Sequence, residues 1–191
     1  MNINEQYLVS VKKQFEHYKK LAEKAMDQLE PEQLLITYNE DTNSIAAIIK
    51  HMSGNMLSRW TDFLTTDGEK PDRNRDAEFE ITVQDKANIL QKWNEGWECF
   101  FTSFDALKPE QLANTVYIRN EGHTIMEAIS RHLAHSAYHI GQIVFYAKQL
   151  KDGSWNSLSI AKNKSKDYNA DKFSTEKTMK NYTESELRRM K

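Results

Sequence analysis

Four stretches of this chain repeat their apolar residues at intervals of three and four, the spacing that lines side chains along one face of an α-helix. From Ile3 to Leu29 the repeat runs through Tyr7, Leu8, Val11, Phe15, Tyr18, Leu21, Ala22, Ala25 and Met26, and Pro31 marks its end. Asn43 or Ser44 is placed to cap a second helix that reaches about Leu64 through Ile45, Ile48, Ile49, Met52, Met56, Leu57 and Trp60. Thr82 with Asp85 makes a capping arrangement for a third helix, to Leu107, whose Ile89, Leu90, Trp93, Trp97, Phe100, Phe101 and Phe104 form an aromatic face. Thr124 with Glu127 is a T-x-x-E capping box opening a fourth helix to about Leu150. Between Pro109 and Gly122, "QLANTVYIRNEG" alternates weakly and contains a turn-prone Asn-Glu-Gly, which predicts a short extended segment or hairpin before the last long helix. An amphipathic helix cannot bury its own stripe, so four of them joined by polar connections predict an all-α four-helix bundle over residues 1–150.

Composition supports this class. Six Gly and three Pro in 191 residues are too few for a turn-rich β fold. Residues 151–191 are rich in Lys, Ser and Asn with sparse apolar residues, which predicts a partly ordered tail. Its first part is expected to pack on the bundle through Trp155, Leu158 and Ile160, and Thr183 with Glu186 to cap a last helical turn. The tail carries ten Lys/Arg against six Asp/Glu, but the whole chain is at -2, so the basic segment reads as solvated and no nucleic-acid partner is expected. There is no apolar run of signal-peptide or membrane-spanning length, which predicts a cytoplasmic protein without a membrane partner. Cys99 is the only cysteine, so any metal site must use imidazole and carboxylate. Lying among aromatics, it reads as a buried, inert thiol.

The two halves echo each other. "LEPEQL" at 29–34 matches "LKPEQL" at 107–112, each followed by a helix. With a three-residue shift, "TNSIAAIIKHM" lies against "HTIMEAISRHL", setting His51 against His132. Either an ancestral duplication or the shared demands of amphipathic helices accounts for this.

The fourth helix carries "HLAHSAYHIGQ", three of the six histidines in eight residues. His135 and His139 are four apart and stack on one helical face, with His132 three before His135. Apolar neighbours bracket the stripe, so the rings face the core boundary, where a neutral imidazole needs a partner and two can share a divalent cation with a third ligand. A pair four apart is equally compatible with packing alone. The third ligand must come from another helix, and His51, among Ile48, Met52 and Leu57, is the candidate. His17 lies on a charged face, His123 sits in a connection, and His132 reads as supporting the site or simply packed.

"HSAYHIGQIVFYAK" at 135–148 resembles the H-x-x-x-H-R-G-Q signature of the DinB/YfiT-like superfamily, and "IIKHMSGNMLSRW" at 48–60 resembles its earlier single-histidine helix. "WNSLSIAKNKSKDYN" at 155–169 is similar to the tail of an uncharacterised bacterial subgroup of it. The resemblance covers most of residues 1–170. It implies an up-down-down-up bundle, often dimeric, with a divalent metal, zinc or nickel, on three histidines that map to His51, His135 and His139. Characterised relatives include S-transferases and isomerases that use a low-molecular-weight thiol such as bacillithiol or mycothiol. This chain departs from the signature at Ile140, where Arg is frequent, so a role of that Arg in holding an anionic thiol does not carry over. Gly141 is expected to allow close helix approach beside the site, and Asn55, Tyr138 and Gln142 to support the ligands.

Three imidazoles leave a metal with an open position, as in catalytic sites. A bound thiol would lose its proton there, and so would a water. Ser136 stands where a metzincin-type helix has its Glu, which argues against peptide hydrolysis. The leading expectation is a metal-dependent thiol S-transferase acting on a small-molecule electrophile. The alternatives are a metal-dependent hydrolase and a non-enzymatic binding or scaffold bundle.

Overall fold

The computed structural model describes residues 2–189. It is all-α apart from one hairpin among the described residues. The four long helices are α1 (Ile3–Met26), α2 (Ile45–Trp60), α3 (Val83–Asp105) and α4 (Ile125–Leu150), followed by α5 (Ser165–Phe173) and α6 (Tyr182–Arg189). No helix among the described residues is long and apolar enough to cross a membrane.

The helix starts follow from capping chemistry. Asn2 and Glu5 close a capping box on α1, Ser44 Oγ accepts from the Ala47 N–H, Thr82 and Asp85 close a box on α3, and Thr124 caps α4. Ser44 rather than Asn43 is therefore the α2 cap. That helix stops at Trp60, short of Leu64, because Asp62 turns into the left-handed region at φ 48.

The echoed segments adopt one local structure. Pro31–Leu35 and Pro109–Ala113 are 3-10 turns with Pro in the first turn. In each, a Gln carbonyl oxygen accepts the N–H three residues back, Gln33 from Glu30 and Gln111 from Lys108, both at 2.8 Å. After the second turn come β1 (Thr115–Ile118) and β2 (Glu121–Thr124), paired antiparallel with Thr115 opposite Thr124. The hairpin reverses at Arg119 and Asn120, both with φ near +60 (56 and 62), the two-residue type I′ arrangement. The Asp67 carboxylate accepts from both of their N–H groups at 2.8 Å.

Helix α2 packs on α3 and α4, and α1 packs on α4. Their shared core is strongly aromatic: Phe15 lies 4.3 Å from Phe100, Trp60 4.8 Å from Phe100, and Trp93 5.5 Å from Trp97. Each such pair adds about 0.5–1.5 kcal/mol beyond area burial. Close approach of α2 and α3 depends on Gly96, where a Cβ would stand 2.8 Å from the Ser53 Cα. Gly141 has no such role. It is exposed, with nothing within 4 Å of an added Cβ, so the close approach expected there is absent.

Parts of the tail lie against the bundle. Asn156 exchanges two backbone hydrogen bonds with the Gln28 side chain, and Trp155 and Leu158 pack on the core, while Ile160 stays 40% exposed. Helix α6 lies on α1 through the Lys13–Glu184 ion pair and a hydrogen bond between Asn181 and Ser10. Its cap is Asn181, whose Oδ1 accepts from the N–H and hydroxyl of Thr183; Thr183 itself is buried in the first turn.

Candidate metal centre

The buried face of α2 presents His51, and the inward stripe of α4 presents His135 and His139, one helical turn apart. Their available nitrogens all lie within 4.8 Å of one another. His51 Nε2 is 3.2 Å from His135 Nε2. Two nitrogens sharing a tetrahedral zinc at about 2.1 Å stand roughly 3.4 Å apart. That pair already fits an ion, and the widest pair needs a ring movement of roughly an ångström to join it.

The remaining ring nitrogens of His51 and His139 are fixed from behind. His51 Nδ1 lies 2.9 Å from Glu78 Oε2, and Arg73 holds the same carboxylate with Nε at 2.8 Å and Nη2 at 3.0 Å. Burial opposes ionisation of Glu78, but the hydrogen bonds from His51 and Arg73 outweigh it and keep the carboxyl below its usual range. An ionised Glu78 accepts the Nδ1 proton and leaves the Nε2 lone pair of His51 facing its partners. His139 Nδ1 likewise donates to Gln142 Oε1 at 2.8 Å. Burial first, and neighbouring imidazoles and guanidinium groups second, push His135 down to about 3; burial, opposed by the Gln142 hydrogen bond, lowers His139. At neutral pH both rings are unprotonated, as metal ligation requires.

His132 stands apart. Its ring centroid is 6.4 Å from that of His135 and only 4.8 Å from Phe100, with Phe15 and Trp60 each at 5.3 Å. It is a core histidine whose buried Nε2 has no hydrogen-bond partner, and burial pushes it to about 3. Tyr138 is exposed, its ring 4.9 Å from that of His139, and Asn55 lines the cavity next to the centre without touching it through any hydrogen bond described. Ile140, at the position where the signature has Arg, is fully buried in the core. Cys99 is half-buried, its Sγ 3.5 Å from Thr61 Oγ1, rather than sealed among aromatics.

Sequence reasoning missed Glu78, Arg73 and Phe79, which stacks on His51 at 4.9 Å. All three lie in the polar connection between α2 and α3, where seven Asp/Glu fall between Asp62 and Glu80 and no periodicity singles one out. A signal did exist in Gly54, three residues after His51 on the same face of α2, where any side chain would run into the Glu78 carboxylate.

A cavity of about 420 Å³ opens over the three histidines, with Trp60, Phe63 and Ile118 among its apolar walls. A family model described as "Protein of unknown function (DUF1572)" matches residues 2–164. The chain belongs to the DUF1572 family. The DUF1572 segment contains all four long helices, the three histidines and Glu78, and ends just before α5. No curated protein and no solved structure matches the chain.

Proposed function

We propose that this DUF1572 protein is a DinB/YfiT-like four-helix bundle, up-down-down-up, that holds a zinc or nickel ion on His51, His135 and His139 and acts as a thiol S-transferase on small electrophiles. The observation that carries this reading is the convergence of three imidazoles from two helices to within 4.8 Å in the wall of a cavity. A divalent ion with three imidazole ligands supplies Lewis acidity at its open position, favouring the deprotonated form of a thiol. The chain's own residues do the rest. Glu78 and Gln142 accept hydrogen bonds from the Nδ1–H groups of His51 and His139 and so orient both rings. Trp60, Phe63 and Ile118 offer apolar surface to the body of an electrophile and exclude water from it.

Among the described residues, no Asp or Glu lines the cavity, so water attack assisted by a carboxylate base has no base there, while a metal-bound thiolate or hydroxide needs none once its proton is gone. Homodimerisation belongs to the same reading: Tyr138 and Phe145, seven apart on α4, are 64% and 67% exposed and form a stripe suited to a second copy.

Purified protein loaded with Zn²⁺ or Ni²⁺ is expected to conjugate a low-molecular-weight thiol to monochlorobimane, and His139→Ala to abolish both metal retention and turnover. Turnover untouched by His139→Ala overturns the proposal. Ester cleavage that needs no thiol would support a hydrolase instead. Sub-stoichiometric metal, with melting indifferent to chelator, would leave a non-enzymatic scaffold.

A further inference from the structure

Among the described residues, five arginines, Arg59, Arg73, Arg75, Arg119 and Arg131, line the histidine cavity, and no carboxylate does. This is a concentrated positive surface on a chain whose net charge is -2. Three of the five are ion-paired from behind the wall, sharing two carboxylates. Arg59 pairs with Glu69 at 2.8 Å, Arg119 with Glu69 at 3.3 Å, and Arg73 with Glu78 at 2.8 Å. Arg75 and Arg131 make no ion pair among the described residues. The Arg75 guanidinium lies over Phe79, 5.3 Å from the ring centroid, and Phe79 in turn stacks on His51. Arg131 only approaches His123 Nε2, at 3.4 Å. Both are exposed at the cavity wall.

Cations around a cation site make sense only if something negative completes it. Guanidinium groups lining one cavity with the three histidines disfavour a cation there, and an anion bound alongside offsets that penalty. Guanidinium groups left without a carboxylate present planar forks that match a carboxylate or a phosphate.

We propose that Arg75 and Arg131 form an anion subsite, so that the substrate or thiol of this centre carries a carboxylate or phosphate group held there while its reacting end lies at the three histidines. The subsite rests on the metal-centre reading for its role, though its anion binding is measurable by itself.

The test is calorimetric titration of the full-length protein, metal-free and with one equivalent of Zn²⁺, using succinate, methylphosphonate and the neutral analogue succinamide. At least one anion is expected to bind and succinamide to bind far more weakly; the preferred anion tells carboxylate from phosphate. Arg75→Gln and Arg131→Gln should each weaken anion binding by about tenfold, with bound zinc per chain by elemental analysis unchanged from the parent. Because Arg75 and Arg131 have no ion pair to lose, only the Phe79 ring contact and a 3.4 Å hydrogen bond to His123, both variants should keep the parent circular dichroism and melt close to the parent. Succinamide binding as tightly as succinate, no binding of either anion, or both variants titrating like the parent would overturn the subsite. Arginine-dependent anion binding without retained zinc would sink the metal centre and keep the subsite. Retained zinc without anion discrimination would do the reverse.

Discussion

Glu78 and His132 are the two residues whose roles diverge most from what their neighbours in the chain suggest. Glu78 orients His51 and is itself held by Arg73, so on the proposed metal it would act through another residue. Glu78→Gln keeps the shape but weakens the acceptor, and metal affinity should fall by about 10–100-fold with the fold intact, read by competition with a chromophoric chelator. Glu78→Ala would confuse the result, because it removes the shorter of the two carboxylate pairs of Arg73, leaving Glu69 at 3.3 Å, and so lowers stability as well as metal affinity. His132 is neutral in the folded protein down to about 3, against 6.5 when unfolded. Above 6.5 neither state is protonated and the ring adds no pH dependence; below it the unfolded chain takes up a proton that the folded chain refuses, so stability falls as pH drops toward 3. His132→Leu should therefore flatten part of the acid-side loss in melts run metal-free between about pH 4 and 7. At neutral pH its stability should lie within about 1 kcal/mol of the parent, since removing an unpartnered buried polar atom offsets the change of shape.

At the level of helices, two glycines of similar sequence context have opposite meanings. Gly141 sits on the exposed side of α4 with open space around it, while Gly96 lets α3 lie against the backbone of α2. Gly141→Ala is expected to raise stability by about 1 kcal/mol, the intrinsic helix propensity difference. Gly96→Ala should lower it by about 1–3 kcal/mol through overpacking against Ser53, and because α2 carries His51, it should also loosen metal binding. Chemical denaturation of the two variants, with zinc retention measured alongside, reads both. Helix existence and start points were legible because each depends on a local pattern: apolar spacing of three and four, and a cap three residues from its partner. The ends were less so. Helix α2 stops where Asp62 takes a left-handed conformation, and the cap of α6 moves to Asn181, because Thr183 is needed inside, buried against α1.

For the molecule as a whole, the proposed homodimer gives a direct measurement. Light scattering after size exclusion should return twice the 22.4 kDa chain mass, and Phe145→Glu, which puts charge on the exposed stripe of α4, should return the monomer. Metal should raise the melting temperature of the folded chain and chelator lower it, since an ion that binds only the native state stabilises it by mass action. Sequence alone determined that this chain is built of four long helices with a short hairpin before the last. It also picked out His135 and His139 as a stacked pair, because helical periodicity and an i, i+4 spacing are properties of neighbouring residues. His51 could be nominated, since its apolar neighbours marked the buried face of α2. Only the tertiary structure decided the rest: that His51 and not His132 joins the pair, that Glu78 and Arg73 reach in from a connection without periodicity, and that five arginines from separate segments converge on one cavity. Those contacts join residues far apart in the chain, and their positions are set by how whole helices pack, which no local pattern encodes.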